Sequence, residues 1–261
     1  MRRTLLPGTD LSVSRLSFGT ARLHHHPTTA KRQALLAAAL GHGFSHFDTS
    51  PYYGLGISEL ELGRFLRRAG PGPTVASKVG LYPPGGRASS TLVAWGRTAL
   101  GKLAPGRSTP FVDWSMDTAT KSLEQTLRTL GRDRLDILFL HEPAPGLLDV
   151  DEFQGWLARQ REAGKIRYWG LAGPLERFAP WTHHPVAEVL QVRDTVDGWG
   201  VHQLAATGRE PQITYGALSA ATSALSAADV VTAALARNPR GSVLVSTRRM
   251  SHLRELAAAV E

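Results

Sequence analysis

The sequence contains no cysteine, which excludes disulfides, thiolate metal sites and cysteine nucleophiles together. That absence suits a cytoplasmic location, where disulfides are rare. No run of about 18 or more apolar residues occurs, so no membrane-spanning helix is expected. The opening MRRTLLPGTD reaches Pro-Gly-Thr-Asp after only two leucines, too short and too polar for a signal peptide. Internal repeats and low-complexity tracts are missing too. The formal net charge is +8, but no long block of like charge carries it. Arginines such as Arg2, Arg15, Arg64, Arg97, Arg128, Arg159 and Arg237 are dispersed, so no nucleic-acid partner is expected. An anionic ligand such as a nucleotide would account for local basic clusters. Nothing in the chain determines an oligomeric state.

What is present is an alternation of strand-like and helix-like runs within 261 residues, a length that suits one α/β barrel. Strands are expected at 16–20, 44–48, 74–78, 135–141, 165–172, 187–192, 212–218 and 242–247, with Gly and Pro between the elements. Helical periodicity appears in 117–130, 150–163 and 249–260, where Ala119, Leu123, Leu127 and Leu130, for example, share one face. Ser226-x-x-Asp229 has the form of a capping box for the seventh helix. Eight βα units in one chain predict a single-domain (β/α)8 TIM barrel over residues 1–261. Residues 2–6 and 11–14, joined by Pro7-Gly8-Thr9-Asp10, read as an N-terminal β-hairpin that could plug one end. An open doubly wound sheet would want a Gly-rich dinucleotide loop after its first strand. GLGISE (54–59) follows the second strand and has Glu59 where the third glycine belongs. Residues 80–116, rich in Gly, Pro and Ser, form a long insertion after strand three and read as a partial lid carrying Trp95, Phe111 and Trp114.

Four residues stand out against that scaffold. Asp48 and Tyr53 lie in FDTSPYYG, Lys78 in TVASKVG and His141 in LDILFLHEP. Each follows a short apolar run, so an acid, a phenol, an ammonium and an imidazole would gather at the C-terminal mouth of a barrel, where catalytic groups collect. Tyr52 adjoins Tyr53 and is expected to point elsewhere along the chain. The triple His24-His25-His26 is consecutive in a loop, where histidines rarely converge on one ion, so no metal is expected.

These motifs, with ELELGRFL, SLEQTLRTLGRDRLDILFLHEP, GKIRYWGLAG and VLQVRD, resemble the aldo-keto reductase family over nearly the whole chain. The resemblance implies an enzyme that passes hydride between NADP(H), or alternatively NAD(H), and a small-molecule carbonyl or sugar substrate. Tyr53 would be the general acid, Lys78 its activating cation, Asp48 the partner of Lys78, and His141 a donor to the substrate oxygen. An ammonium about 4 Å from a phenol is worth roughly 4 kcal/mol in a partly screened site, enough to draw a pKa of about 10 toward neutrality.

The resemblance also assigns a cofactor set: Gly19, Thr20, Asp48, Ala172, Gly173, Gln191, Tyr215, Ser246, Thr247, Arg248, Arg249, His252 and Arg254. Gln191 would hold the nicotinamide amide and Tyr215 stack on its ring. Ser246 and Thr247 would meet phosphate near a helix N-terminus, and the basic residues favour NADP over NAD. Two departures matter. Ala172-Gly173 stands where the family has a Ser-Asn pair, removing two side-chain hydrogen bonds worth about 1 kcal/mol each. The long clamping loop before the last strand is also missing, and little chain follows the last helix, so an open pocket is expected. Substrate contacts then fall to Arg22, Leu23, His24 and Trp114, together with Tyr53 and His141. The insertion and LDILFLHEP are similar to the sugar dehydrogenase branch, which leaves the reaction direction open. A non-catalytic nucleotide-binding barrel remains the alternative of a different class.

Overall fold

A computed structural model describes residues 1–88, 90, 92–94, 96–97, 110–219 and 225–260. Two short strands, β1 (Arg3–Leu5) and β2 (Ser12–Ser14), pair antiparallel around the Pro-Gly turn as the sequence predicts. The apolar runs then follow as β3 (Leu16–Gly19), β4 (His46–Asp48) and β5 (Thr74–Val79). Two further short strands, β6 (Leu81–Tyr82) and β7 (Phe111–Val112), pair antiparallel at the base of the insertion. Next come β8 (Leu135–His141), β9 (Ile166–Gly173), β10 (Val189–Arg193), β11 (Ile213–Tyr215) and β12 (Ser242–Val245). The strands β3, β4, β5, β8, β9, β10, β11 and β12 are neighbours in that order, and β12 pairs back onto β3 through Val243 opposite Leu16, closing a parallel barrel. The seventh barrel strand ends at Tyr215, short of the expected 218, because a 3-10 turn over Ala217–Ser219 follows it.

The helices on the outside are α1 (Thr29–Gly41), α2 (Ile57–Ala69), α3 (Met116–Leu130), α4 (Val150–Glu162), α5 (Leu175–Phe178), α6 (Trp199–Ala205), α7 (Ala227–Arg237) and α8 (Met250–Ala258). Their starts are chemically marked. Ser115 accepts from Thr118 N at the head of α3, and Asp149 accepts from the Asp151 and Glu152 amides at the head of α4. Ser226 accepts from Asp229 N, which is one half of the capping box expected for α7, and its hydroxyl rather than its backbone N–H donates to the Asp229 carboxylate.

The barrel interior is filled by Ala76, Ile137, Phe139, Val189 and Ile213, and the hairpin adds Leu6, Leu11 and Val13 to the same cluster, so it does close the N-terminal end. Larger side chains, including Phe18, Phe44, Phe47, Leu123 and Trp156, pack the layer between strands and helices. Two carboxylates of α2 are buried with cationic partners. Glu61 meets Arg32 at 3.3 Å and Arg64 at 2.9 Å. Glu59, the residue that breaks the dinucleotide-loop pattern, accepts from Ser77 Oγ and Thr126 Oγ1 and pairs with Arg87 at 3.2 Å. Arg87 also donates to Thr126 Oγ1, so the start of the insertion is tied to α2 and α3. The other tie is Gly80, at φ +106°, whose missing side chain leaves room for the Trp114 ring.

The α2–α3 contact generates the first test. A Cβ at Gly63 would collide with the Thr129 carbonyl oxygen of α3. Gly63→Ala gains up to about 1 kcal/mol of helix propensity, but backbone cannot swing aside as a side chain can. We expect a net destabilisation of about 1–3 kcal/mol, read as a lowered urea midpoint. An unchanged or raised midpoint would show that the helices separate freely.

Candidate active site

The strand ends bring Asp48, Lys78 and His141 to one mouth of the barrel. Asp48 closes β4, Lys78 is the penultimate residue of β5, and His141 closes β8. The alternation of a strand turns Lys78 inward, where it is only 2% exposed. Its Nζ donates to both Asp48 oxygens at 2.6 Å and to Thr49 O at 3.0 Å. Gln191 Nε2, from β10, donates to Asp48 Oδ2 at 2.9 Å. Tyr53 opens a 3-10 turn, Tyr53–Gly56, just beyond β4. Its ring lies beneath Lys78 Nζ at 5.2 Å and meets the His141 ring edge-on, centroids 6.0 Å apart. Ser50 Oγ is 3.4 Å from His141 Nδ1. A cavity of about 300 Å³ opens over these groups, lined by Tyr53, Lys78, His141, Gln191, Tyr215 and Glu142 among others.

Burial dominates the electrostatics. It lowers the Lys78 pKa, with Asp48 opposing, and pushes His141 well below 6.5, with Lys78 adding to the shift. His141 is therefore a neutral imidazole. Tyr53 moves opposite to the sequence expectation. Burial, then Asp48, Tyr215 and Glu142, raise its pKa well above 10. Two contacts at 2.6 Å from Asp48 offset the Lys78 charge, and the ammonium faces the ring of Tyr53. The phenol is thus held protonated, with no protein hydrogen-bond partner for its Oη among the described residues.

The cofactor set divides. Ala172, Gly173, Gln191 and Tyr215 line the cavity. Ser246 Oγ donates to Gly19 O at 2.9 Å, which places both at the seam where β12 meets β3. Thr247 Oγ1 accepts from Arg249 N, and no side chain caps α8. Arg248, Arg249 and Arg254 are exposed around that helix start, with His252 half-buried beside them. Thr20 does not face the cavity. Its hydroxyl, fully buried, donates to Asp48 O and Thr49 Oγ1, so its work is to fix the Asp48 strand end.

The expected substrate wall is placed differently. Leu23 is 1% exposed in the core, turned inward by the 3-10 turn Leu23–His25. Arg22 is exposed and His24 packs on Gly54, neither lining the cavity. Trp114 stacks edge-on to Phe153 at 5.6 Å, beneath Gly80, and anchors the insertion rather than contacting the cavity. Phe111 is also exposed away from it, and Trp95 lies outside the described residues. Leu81 and Pro110, from the two sides of the insertion, supply that wall instead, with Leu244. Tyr52, expected to point elsewhere, lines the cavity too, because the 3-10 turn replaces strand alternation at this point. Glu142 was also missed. An acid directly after His141 was the available signal. Among the described residues, no group of three side chains could hold a metal ion.

Against known proteins, the model of the Aldo/keto reductase family matches residues 15–183. The chain is 30% identical to 6-dehydroglucose reductase of Agrobacterium fabrum over 177 residues, 66% of this chain and 52% of that one. It is 32% identical to L-galactose dehydrogenase of Arabidopsis thaliana over 179 residues, 66% of this chain and 49% of the relative. The chain thus spans about half the length of the curated relatives it matches. In fold it is similar to an aldo-keto reductase from Klebsiella pneumoniae solved with NADPH, at a TM-score of 0.71 and 20% identity, covering 100% of this chain and 90% of the other.

The buried imidazoles predict acid sensitivity. Burial first, and neighbouring positive charge second, lower His141; burial and then His25 lower His24 to about 4; burial lowers His46 against the pull of Asp48. An unfolded chain binds these protons near the ordinary value of 6.5. As pH falls below that value the unfolded state takes up more protons than the folded one, so stability drops. The stability is fully present above about pH 6.5 and declines toward about pH 4. Urea midpoints measured at about pH 7.5 and about pH 5 should show the lower value in acid. Equal midpoints would refute the assignment.

Proposed function

The chain belongs to the aldo/keto reductase family, and from that premise we propose that it transfers hydride between a nicotinamide cofactor and the carbonyl carbon of an aldehyde, ketone or sugar. The observation that carries this reading is the meeting of Tyr53, Lys78 and His141 in one cavity over a pair with Asp48. The cavity walls suit a planar ring. Tyr215 offers an aromatic side chain, Ala172 and Gly173 offer a surface free of bulk, and Gln191, whose Nε2 is engaged by Asp48, retains its Oε1. The reduced nicotinamide supplies the hydride.

In this reading Tyr53 gives its proton to the carbonyl oxygen as carbon is reduced, so C=O becomes H–C–O–H. A phenol held protonated is suited to that step, and His141, neutral, donates from its imidazole N–H to the same oxygen. Lys78 stabilises the tyrosinate that forms, its own charge kept in place by Asp48. Sugar chemistry is the substrate class favoured by the relatives, one named a 6-dehydroglucose reductase and one an L-galactose dehydrogenase. Those two names point in opposite reaction directions. The arginines around α8 favour NADP(H) over NAD(H), since they make no ion pair among the described residues and could meet an extra phosphate.

Tyr53→Phe removes only the hydroxyl. We expect turnover with the best carbonyl substrate to fall about 10²- to 10⁴-fold, while nucleotide affinity, from a fluorescence titration, stays within about twofold. A Tyr53→Phe enzyme of normal activity would remove Tyr53 from the role of proton donor.

A further inference from the structure

Glu142 is the acid that the mechanism above does not use. It follows His141 at the mouth of the barrel and lines the same cavity. Its backbone is left-handed, with φ +53°, one of only two such non-glycine residues among the described residues. A residue bearing a Cβ pays for that conformation with roughly 1–2 kcal/mol of strain; its N–H, donating to Ala172 O at 2.7 Å, holds it there. Strain of this kind gathers at functional sites. The side chain is set against Gly173, where an added Cβ would lie 3.1 Å from Glu142 Cγ. Glu142 therefore occupies the flank of the very position where the family's carboxamide-binding pair is replaced by Ala172-Gly173.

Its surroundings define what it could meet. Among the described residues the carboxylate makes no hydrogen bond and no ion pair; the neighbouring Arg177 donates to the Glu142 backbone carbonyl instead. Its negative charge is felt by both cavity phenols, Tyr53 and Tyr215. The other charges lining the site cancel, because Lys78 is matched by Asp48, and His141 is neutral. Of the charges acting on Tyr215, Glu142 comes first, opposed by Arg193 and joined by Asp48 and Glu176, and only Glu142 of these lines the cavity. A nicotinamide ring is positive when oxidised and neutral when reduced, and its carboxamide N–H₂ donates in both states.

We infer that Glu142 takes over the nicotinamide wall from the missing pair, accepting from the carboxamide and holding the oxidised nucleotide more tightly than the reduced one. This rests on the proposed placement of the nicotinamide beside Tyr215. The residue selects between cofactor redox states through its charge and takes no proton or hydride itself.

The test is a direct binding titration with NADP⁺ and with NADPH on the wild-type chain, Glu142→Gln and Glu142→Asp. Glu142→Gln keeps the shape and removes the charge. It should shift the ratio of the two dissociation constants by about tenfold toward NADPH, roughly 1.4 kcal/mol, whereas Glu142→Asp should stay on the wild-type side. Should Glu142→Gln fail to fold, Glu142→Ser removes the charge equally and the same shift is expected. A neutral variant with the wild-type ratio overturns the inference while leaving the nicotinamide reading intact. A ratio lost in Glu142→Asp as fully as in Glu142→Gln also overturns it, since charge would not be the cause. A wild-type chain that binds neither nucleotide overturns both.

Discussion

The site depends on one buried ion pair. Lys78 is 2% exposed and Asp48 1% exposed, so each charge has lost its hydration, a penalty of several kcal/mol per ion that only close geometry offsets. Here the geometry is close: both carboxylate oxygens lie 2.6 Å from Nζ, and Thr49 O accepts a further bond at 3.0 Å. Gln191 donates to the carboxylate from β10, and Thr20 fixes the Asp48 carbonyl from the end of β3. Four strands are thereby joined at their catalytic ends by polar contacts. The same bonds that keep the ammonium in the barrel also spend its field. For that reason burial controls Tyr53, and the phenol is held protonated.

Much of this was legible before any coordinates. Short apolar runs mark the eight barrel strands because each must bury side chains on two faces, one against the barrel interior and one against helices. The ends of such strands are then determined by topology, so Asp48, Lys78 and His141 could be placed together from spacing. Residues beyond strand ends were not legible in the same way. Leu23, Tyr52 and Thr20 sit in turns, where no repeat tells which way a side chain points. Trp114 looked like a substrate contact because aromatics in loops often are, yet its direction is set by space left above Gly80 and by Phe153, residues distant in sequence. The Tyr53 shift was unreadable for a different reason. Its sign depends on how far Asp48 neutralises Lys78 against how deeply the ring is buried, and sequence gives neither quantity.

Precision in the site comes from how its loops are tied down. Tyr53 stands on a 3-10 turn that enters α2, and α2 is held by buried carboxylates on two turns, Glu59 toward β5, α3 and Arg87, and Glu61 toward Arg32 and Arg64. Arg87 belongs to the insertion that also supplies Leu81 and Pro110 to the cavity wall. One buried acid, Glu59, thus links the helix that follows Tyr53 to the segment that flanks the cavity. Removing Arg87 would leave Glu59 with hydroxyl partners alone, and an unpaired buried carboxylate is expensive. The insertion and the Tyr53 turn are therefore coupled through packing and charge, although they are separate in sequence.

The two walls of the cavity differ in kind. On the Asp48 side the ion pair is committed, with Lys78 donating to Asp48 and Thr49 O and Gln191 Nε2 donating to Asp48, while Gln191 Oε1 and Tyr53 Oη have no hydrogen-bond partner among the described residues. On the Ala172-Gly173 side the wall carries no polar side chain from that pair and holds Glu142, whose backbone is left-handed and whose carboxylate makes no hydrogen bond or ion pair among the described residues. A wall with an unengaged charge can bind but must find its partner in whatever enters. The buried ion pair and the left-handed backbone of Glu142 therefore stand on opposite sides of the same mouth.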